Sequence, residues 1–305
     1  MADDPPQQIK VFASAKINLY LHLTGKRPDG YHLLDSLIGF FSIGDAVSVG
    51  VSEHFSFHVD GPFAGCLSED ERRNSTESGN IAVRAALELA KAAGRTPDVF
   101  LHLTKNLPPA AGLGGGSSDA AAVVRGLLEL WRLPSDADFL EGLLRSLGAD
   151  VPICFYGQAA RISGIGEIIE PVPTLPMLPA VLVNPLKSCP TPEVFRRTRA
   201  AFKTPVVLPE RFKDAVSFAA FLKETGNDLT DAALGIVPEV AACLEVLGEA
   251  EGCLLSRMSG SGATCFGIFE SEPDALRCAQ RIQADHPGWW VQAGEIFKAI
   301  NVLCT

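Results

Sequence analysis

Pro108-Pro109-Ala110-Ala111-Gly112-Leu113-Gly114-Gly115-Gly116-Ser117-Ser118-Asp119 is the stretch on which the reading of this chain turns, and an alanine-rich run follows it directly. A glycine loop that opens a helix suits phosphate, because glycines let backbone N–H groups approach and the helix N-terminus offers unpaired donors with roughly half a positive charge. Ser117 and Ser118 can cap that helix or add hydroxyl donors. Two better-known loops fail on counting. A dinucleotide G-x-G-x-x-G/A motif starting at Gly112 needs Gly or Ala where Ser117 stands, and one starting at Gly114 needs it where Asp119 stands. Gly25 and Gly30 have P-loop spacing, but Tyr31-His32 replaces the required Lys-Ser/Thr. Taken as residues alone, the stretch is either a phosphate cradle or a tight connection before a helix.

Outward from the loop, hydrophobic periodicity switches between 2 and 3.6, which predicts an α+β fold. Helices are expected over 118–131, burying Val123, Val124, Leu127 and Trp131, over 80–93 with Gly94 as its end, and over 138–147 with Gly148 as its stop. Residues 11–23 read as a strand, with Ile17, Leu19, Leu21 and Leu23 on one face and Lys16, Asn18, Tyr20 and His22 on the other. Strands are also expected at 37–51, 54–60 and 98–104. Beyond a junction near 160–170 come a buried strand at 180–183, a loop containing Pro190 and Pro192, helices near 211–223 and 228–248, a strand at 264–269, a helix at 273–284 and a final strand. This divides the chain into residues 1–163 and 164–305.

Composition sets the classes that remain. The chain has 305 residues, enough for one large or two ordinary domains, and its 47% apolar and 20% charged content is that of a globular protein. With 26 Lys and Arg against 36 Asp and Glu, the net charge is −10. A chain so balanced lacks the positive field that neutralises nucleic-acid phosphates, so no nucleic-acid partner is expected. No run reaches the ~18–20 apolar residues of a membrane span, the N-terminus carries no export signal, and the eight cysteines contain no C-x-x-C pair. A cytoplasmic protein with reduced thiols and no membrane partner is expected.

Other features are ambiguous as residues. Asp150, between Gly148 and Pro152, has the position of a helix N-cap. Lys16 has the position of a solvated strand residue beside Asn18. The second glycine loop, Ser259-Gly260-Ser261-Gly262, has the composition of an ordinary turn. His54 and His58 alternate with Phe55 and Phe57 along a strand, so no metal-ligand cluster is expected.

In combination these pieces resemble the GHMP kinase superfamily over nearly the whole chain. Ala15-Lys16-Ile17-Asn18-Leu19, together with Thr24-Gly25-Lys26-Arg27-Pro28-Asp29-Gly30-Tyr31-His32, is similar to the start of the branch that phosphorylates a cytidine diphosphate sugar alcohol. Leu147-Gly148-Ala149-Asp150-Val151-Pro152, Pro190-Thr191-Pro192-Glu193-Val194-Phe195, Asn227-Asp228-Leu229 and Ser259-Gly260-Ser261-Gly262-Ala263 follow in the order of that branch. The resemblance implies a two-lobed fold, with a ribosomal protein S5 domain 2-like N-terminal lobe and a ferredoxin-like C-terminal lobe. It also implies ATP-dependent phosphorylation, with Mg2+, of the 2-hydroxyl on the methylerythritol part of the substrate, a step in non-mevalonate isoprenoid precursor biosynthesis.

By the same resemblance Asp150 is the base and Lys16 its partner; a cation beside a carboxylate favours its ionised form. Pro108, Gly112, Leu113, Gly114, Gly115, Gly116, Ser117 and Ser118 hold the ATP phosphates, with Lys105 and Asn80 on the nucleotide side. Tyr31 and Phe195 clamp cytosine, His32 reads its pairing edge, and Asn18 and Thr191 hold the sugar alcohol or its diphosphate. Two positions depart from the pattern: Ser78-Gly79-Asn80-Ile81 lacks the acidic residue that usually precedes Asn, and Ala110-Ala111 stands where relatives often carry glycine. The magnesium ligands implied are phosphates, a serine of the loop and water rather than a dedicated carboxylate.

Overall fold

Two long antiparallel strands, β1 (Gln8–Lys26) and β2 (His32–Val51), form the backbone of the molecule. They belong to a computed structural model that describes residues 8–172 and 175–297. β1 runs along one edge of β2. The other edge of β2 is shared in turn by β5 (Ala160–Gly164), β10 (Trp290–Phe297) and β4 (Val99–Thr104). The short β3 (Ser56–Asp60) adds parallel to β4 and ends the sheet, and β6 (Ile168–Pro171) pairs with β5. Beyond β10 the same sheet continues through β7 (Leu178–Asn184), β9 (Cys265–Phe269) and β8 (Cys253–Met258).

Helices α1 (Ile81–Ala92), α2 (Gly115–Leu130) and α3 (Leu140–Leu147) cover one face of the N-terminal strands, and a short α4 (Val151–Tyr156) follows. The alanines of α2 let it lie close to the sheet. At Gly126 a Cβ would come within 2.9 Å of Val49, so the helix axis approaches β2 as near as a bare backbone allows. Val123, Val124 and Leu127 are fully buried there, and each contributes about 1.5–3 kcal/mol relative to exposure. In the C-terminal half α5 (Thr191–Arg197), α7 (Thr230–Leu234), α8 (Glu239–Gly248) and α9 (Glu272–Asp285) pack on one side of β7–β10, while α6 (Ala215–Lys223) packs on the other.

Several expectations shift. The helix expected from 118 starts at Gly115, so Ser117 and Ser118 lie inside its first turn, and its N-cap, Gly114, has no capping side chain. Trp131 is the C-cap and only half-buried. The helix expected over 228–248 is two helices, because Gly235 and Pro238 interrupt it. The Pro190–Pro192 loop contains α5, with Pro192 in its first turn. β5, β6 and β8 are strands that the periodicity does not predict. Lys16, Asn18, Tyr20 and His22 are also not solvated: all four are buried, Lys16 beneath the glycine loop and Asn18 beneath the Ser259 loop of the C-terminal half. Among the described residues no helix is long and apolar enough to cross a membrane.

Candidate active site

Lys16 follows a bulge in β1, and its backbone N–H donates to the Leu113 carbonyl at 2.8 Å, which anchors the glycine loop to the strand. Its ammonium lies 3.1 Å from Asp150 Oδ2 and donates to Asn18 Oδ1 at 3.2 Å. Asn18 is turned for that contact, since its amide nitrogen donates to Ser36 Oγ at 2.8 Å. Asp150 does occupy the residue before α4, but its side chain caps nothing. It points instead to Lys16 and remains 37% exposed, open to a ligand.

The two glycine loops meet. Gly112 adopts φ 75°, and a Cβ there would lie 2.5 Å from the Ser259 carbonyl, so no other residue fits the contact. Ser259 Oγ donates to the Gly112 carbonyl at 3.0 Å and accepts from the Asn18 backbone N–H at 3.1 Å. Asn227 secures the second loop by donating to the carbonyls of Met258 and Gly260, both at 2.8 Å. What reads as an ordinary turn in sequence is therefore tied to strand, loop and helix at once.

Between the loops opens a cavity of about 500 Å3. Lys16, Asn18 and Asp150 line its floor, and Gly112, Gly114–Gly116 and Ser117 line one wall. Thr191, Phe195, Gly260 and Ser261 line another. Gly115, Gly116 and Ser117 form the first turn of a sixteen-residue helix, so their N–H groups have no partners within it and carry the positive end of its dipole. Thr191 Oγ1 and Ser261 Oγ are 2.7 Å apart at the opposite wall.

The remaining expected residues stand further back. Ser118 is buried, and its hydroxyl donates to the Ser14 carbonyl at 2.7 Å. Pro108 and Leu113 are buried behind the loop. Asn80 caps α1 by accepting from the Ala82 N–H at 2.9 Å, while its amide donates to the Glu71 carbonyl at 3.2 Å. Its neighbour Ile81 is the one that reaches the cavity. His32 packs against Phe195, with ring centroids 5.6 Å apart and tilted by 34°, whereas Tyr31 is 63% exposed. Burial, with Lys26 adding to it, holds the His32 imidazole below its ordinary range.

Lys105 differs most from expectation. It is buried beneath the loop, between Asp119 at 2.7 Å and Asp45, rather than directed into the cavity. Asp45 also accepts from the backbone N–H groups of Asn106 and Leu107 at 2.6 and 2.8 Å. Burial lowers the Lys105 ammonium, but Asp119 and Asp45 outweigh it and hold the ammonium above its ordinary range. Burial, with Asp45 beside it, pushes the Asp119 carboxyl up against the pull of Lys105. Lys105 thus supports the loop from below; a Cβ on Gly115 would stand 3.6 Å from its Nζ. Asp45, Asn227, Ser259 and Ser261 are the site residues that residue types alone did not single out.

The GHMP kinases N terminal domain matches residues 80–158, and the GHMP kinases C terminal domain matches residues 206–288. A 4-diphosphocytidyl-2-C-methyl-D-erythritol kinase of Paramagnetospirillum magneticum is 45% identical over 288 residues, covering 94% of this chain and 98% of the relative. A crystal structure of 4-(cytidine 5'-diphospho)-2C-methyl-D-erythritol kinase superposes with a TM-score of 0.74 at 33% identity, covering 95% of this chain and all of the other. A homoserine kinase from Cytophaga hutchinsonii shares the fold, with a TM-score of 0.65 at 17% identity over 98% of both chains. Sequence and fold agree along nearly the full length, and the chain belongs to the GHMP kinases, in the group of the 4-diphosphocytidyl-2-C-methyl-D-erythritol kinases.

Proposed function

We propose that this protein transfers the γ-phosphate of ATP to the 2-hydroxyl of 4-diphosphocytidyl-2-C-methyl-D-erythritol, as a cytoplasmic enzyme of the non-mevalonate route to isoprenoid precursors. The observation that carries the reading is the Lys16–Asp150 contact at 3.1 Å on the floor of the cavity walled by the glycine loop. Asp150 accepts the proton of the attacking hydroxyl, and Lys16 offsets the negative charge that develops beside it. The N–H groups of Gly115, Gly116 and Ser117 hold the phosphates, since phosphoryl transfer rests mainly on positioning and electrostatics. A magnesium ion would be held by the Ser117 hydroxyl, which lines the cavity at the glycine loop, together with the bound phosphates. Bound there, it would supply charge neutralisation for the transferring group.

On the acceptor side, Phe195 and Tyr31 stack on cytosine, and neutral His32 reads its pairing edge. Asn18 and Thr191 hold the sugar alcohol. Lys105 and Asn80 act from behind, by shaping the nucleotide side, and residues 1–163 and 164–305 contribute the nucleotide and acceptor lobes. The test is a kinase assay with phosphorus NMR of the product, offering the cytidine diphosphate alcohol, homoserine and mevalonate in parallel. Phosphorylation of the cytidine substrate at its 2-hydroxyl is expected; turnover of a non-cytidine alcohol alone would overturn the assignment.

A further inference from the structure

On the far edge of the sheet, away from the cavity, the parallel pairing of β3 with β4 sets His58 opposite His102 and Asp60 opposite Thr104. Alternation sends Phe57, Leu101 and Leu103 into the core beneath α1 and α2, so His58, Asp60 and His102 share the other face. The sequence presents His58 beside His54; the fold gives it different neighbours. One donor atom from each of His58, Asp60 and His102 lies within 4.8 Å of the others. We propose that these three side chains bind a divalent transition metal, zinc above all.

Three observations carry the assignment. A tetrahedral zinc ion with bonds of about 2.0–2.1 Å holds its ligands about 3.4 Å apart, so donor atoms that already lie within 4.8 Å of one another need to close by at most about 1.4 Å. His102 Nε2 is already 2.9 Å from Asp60 Oδ2, and Thr104, the strand partner of Asp60, faces the same carboxylate, so two of the three ligands already meet. The donor set of two imidazoles and one carboxylate suits zinc, whereas magnesium requires oxygen ligands. Three protein ligands leave a fourth position for water. The ion would clamp the five-residue edge strand to its neighbour, next to the point where the Lys105 backbone N–H donates to the Asp60 carbonyl at 2.8 Å.

The test is calorimetric titration of the full-length, chelator-stripped protein with zinc chloride in excess magnesium, without nucleotide. One zinc per chain is expected, with affinity falling at least tenfold in His58→Ala and in His102→Ala and unchanged in Cys66→Ser, which removes an exposed thiol. Both histidines lie outside the core, and circular dichroism checks that the variants fold. Zinc should also raise the melting temperature of the parent and leave that of His102→Ala where it was. Failure of the parent to bind zinc, or binding that survives both histidine substitutions, would overturn the proposal.

Discussion

Replacing Gly114 with alanine tests how the phosphate loop and the catalytic lysine are joined. Gly114 adopts φ 62°, a left-handed conformation that costs an L-residue roughly 1–2 kcal/mol. Its missing Cβ would lie 3.0 Å from Lys16 Cε and 3.2 Å from Lys16 Cβ, so the lysine stem must give by a few tenths of an ångström. The ammonium at the end of that stem holds Asp150 and Asn18 at 3.1 and 3.2 Å, leaving little room for such a shift. Since a 1 Å misplacement can cost on the order of 10²-fold in rate, a tenfold or somewhat larger loss of kcat is expected, with about 1–2 kcal/mol of lost stability. Gly116→Ala is the control: no positive φ is involved, and its Cβ meets only Ile81 at 3.5 Å. A coupled ADP-release assay at saturating substrates reads the loss of kcat, and urea denaturation reads the loss of stability. If Gly114→Ala matched Gly116→Ala in both, the close contact between loop and lysine would have no energetic weight, and the reasoning fails.

Asp150→Asn should lower kcat by about 10²–10⁴ while ATP affinity, measured by fluorescence titration, barely moves. His32→Ala should raise KM for the cytidine substrate far more than KM for ATP. Because the His32 imidazole titrates below its ordinary range, the parent's acceptor KM should begin to rise only at a pH below that range. Asp119 has a folded-state pKa above its unfolded value, so its contribution to stability is full below the unfolded pKa and is lost as pH rises through the folded one. Asp119→Asn should therefore remove a downward slope of at most about 1.4 kcal/mol per pH unit from unfolding free energies measured between pH 5 and 8. Arg257 is buried and donates to the carbonyls of Leu19 and Leu222 at 2.8 and 2.7 Å; Arg257→Met should cost at least about 2 kcal/mol in denaturant titration by leaving them unpaired.

The parts of this molecule that were legible from residues are those whose chemistry is local. Three glycines before an alanine-rich run give a loop and a helix wherever the rest of the chain goes, and α1 and α3 begin and end within a few residues of where their periodicity places them. Lys16 and Asp150 are different: their positions suggest a solvated strand residue and a helix cap, and only the resemblance to a kinase family joined them. Lys105, placed on the nucleotide side by resemblance alone, is held by Asp45, sixty residues away, and by Asp119, partners that no local pattern reveals. Strand β8 escaped because Ser256 and Arg257 interrupt its apolar run, Ser256 bonding to the Leu244 carbonyl of α8 and Arg257 to the Leu19 carbonyl far away in sequence. The His58–His102 pairing is set by strand register, which no spacing within either strand encodes.

β10 bonds to β7 over seven residues and to β2 at Phe41 and Phe40, and it is the only described strand that touches both. It is also synthesised after every strand it joins. On the ribosome, the N-terminal strands and helices can collapse early, but the edge of β2 between β5 and β4 stays open until β10 emerges. Such a gap is a ready template for a strand from another nascent chain, and in-register closure over so long a loop is slow. The seam that makes one sheet of two halves is therefore also where assembly is most exposed to error, and yield of folded protein should depend more on the sequence of β10 than on that of any other strand.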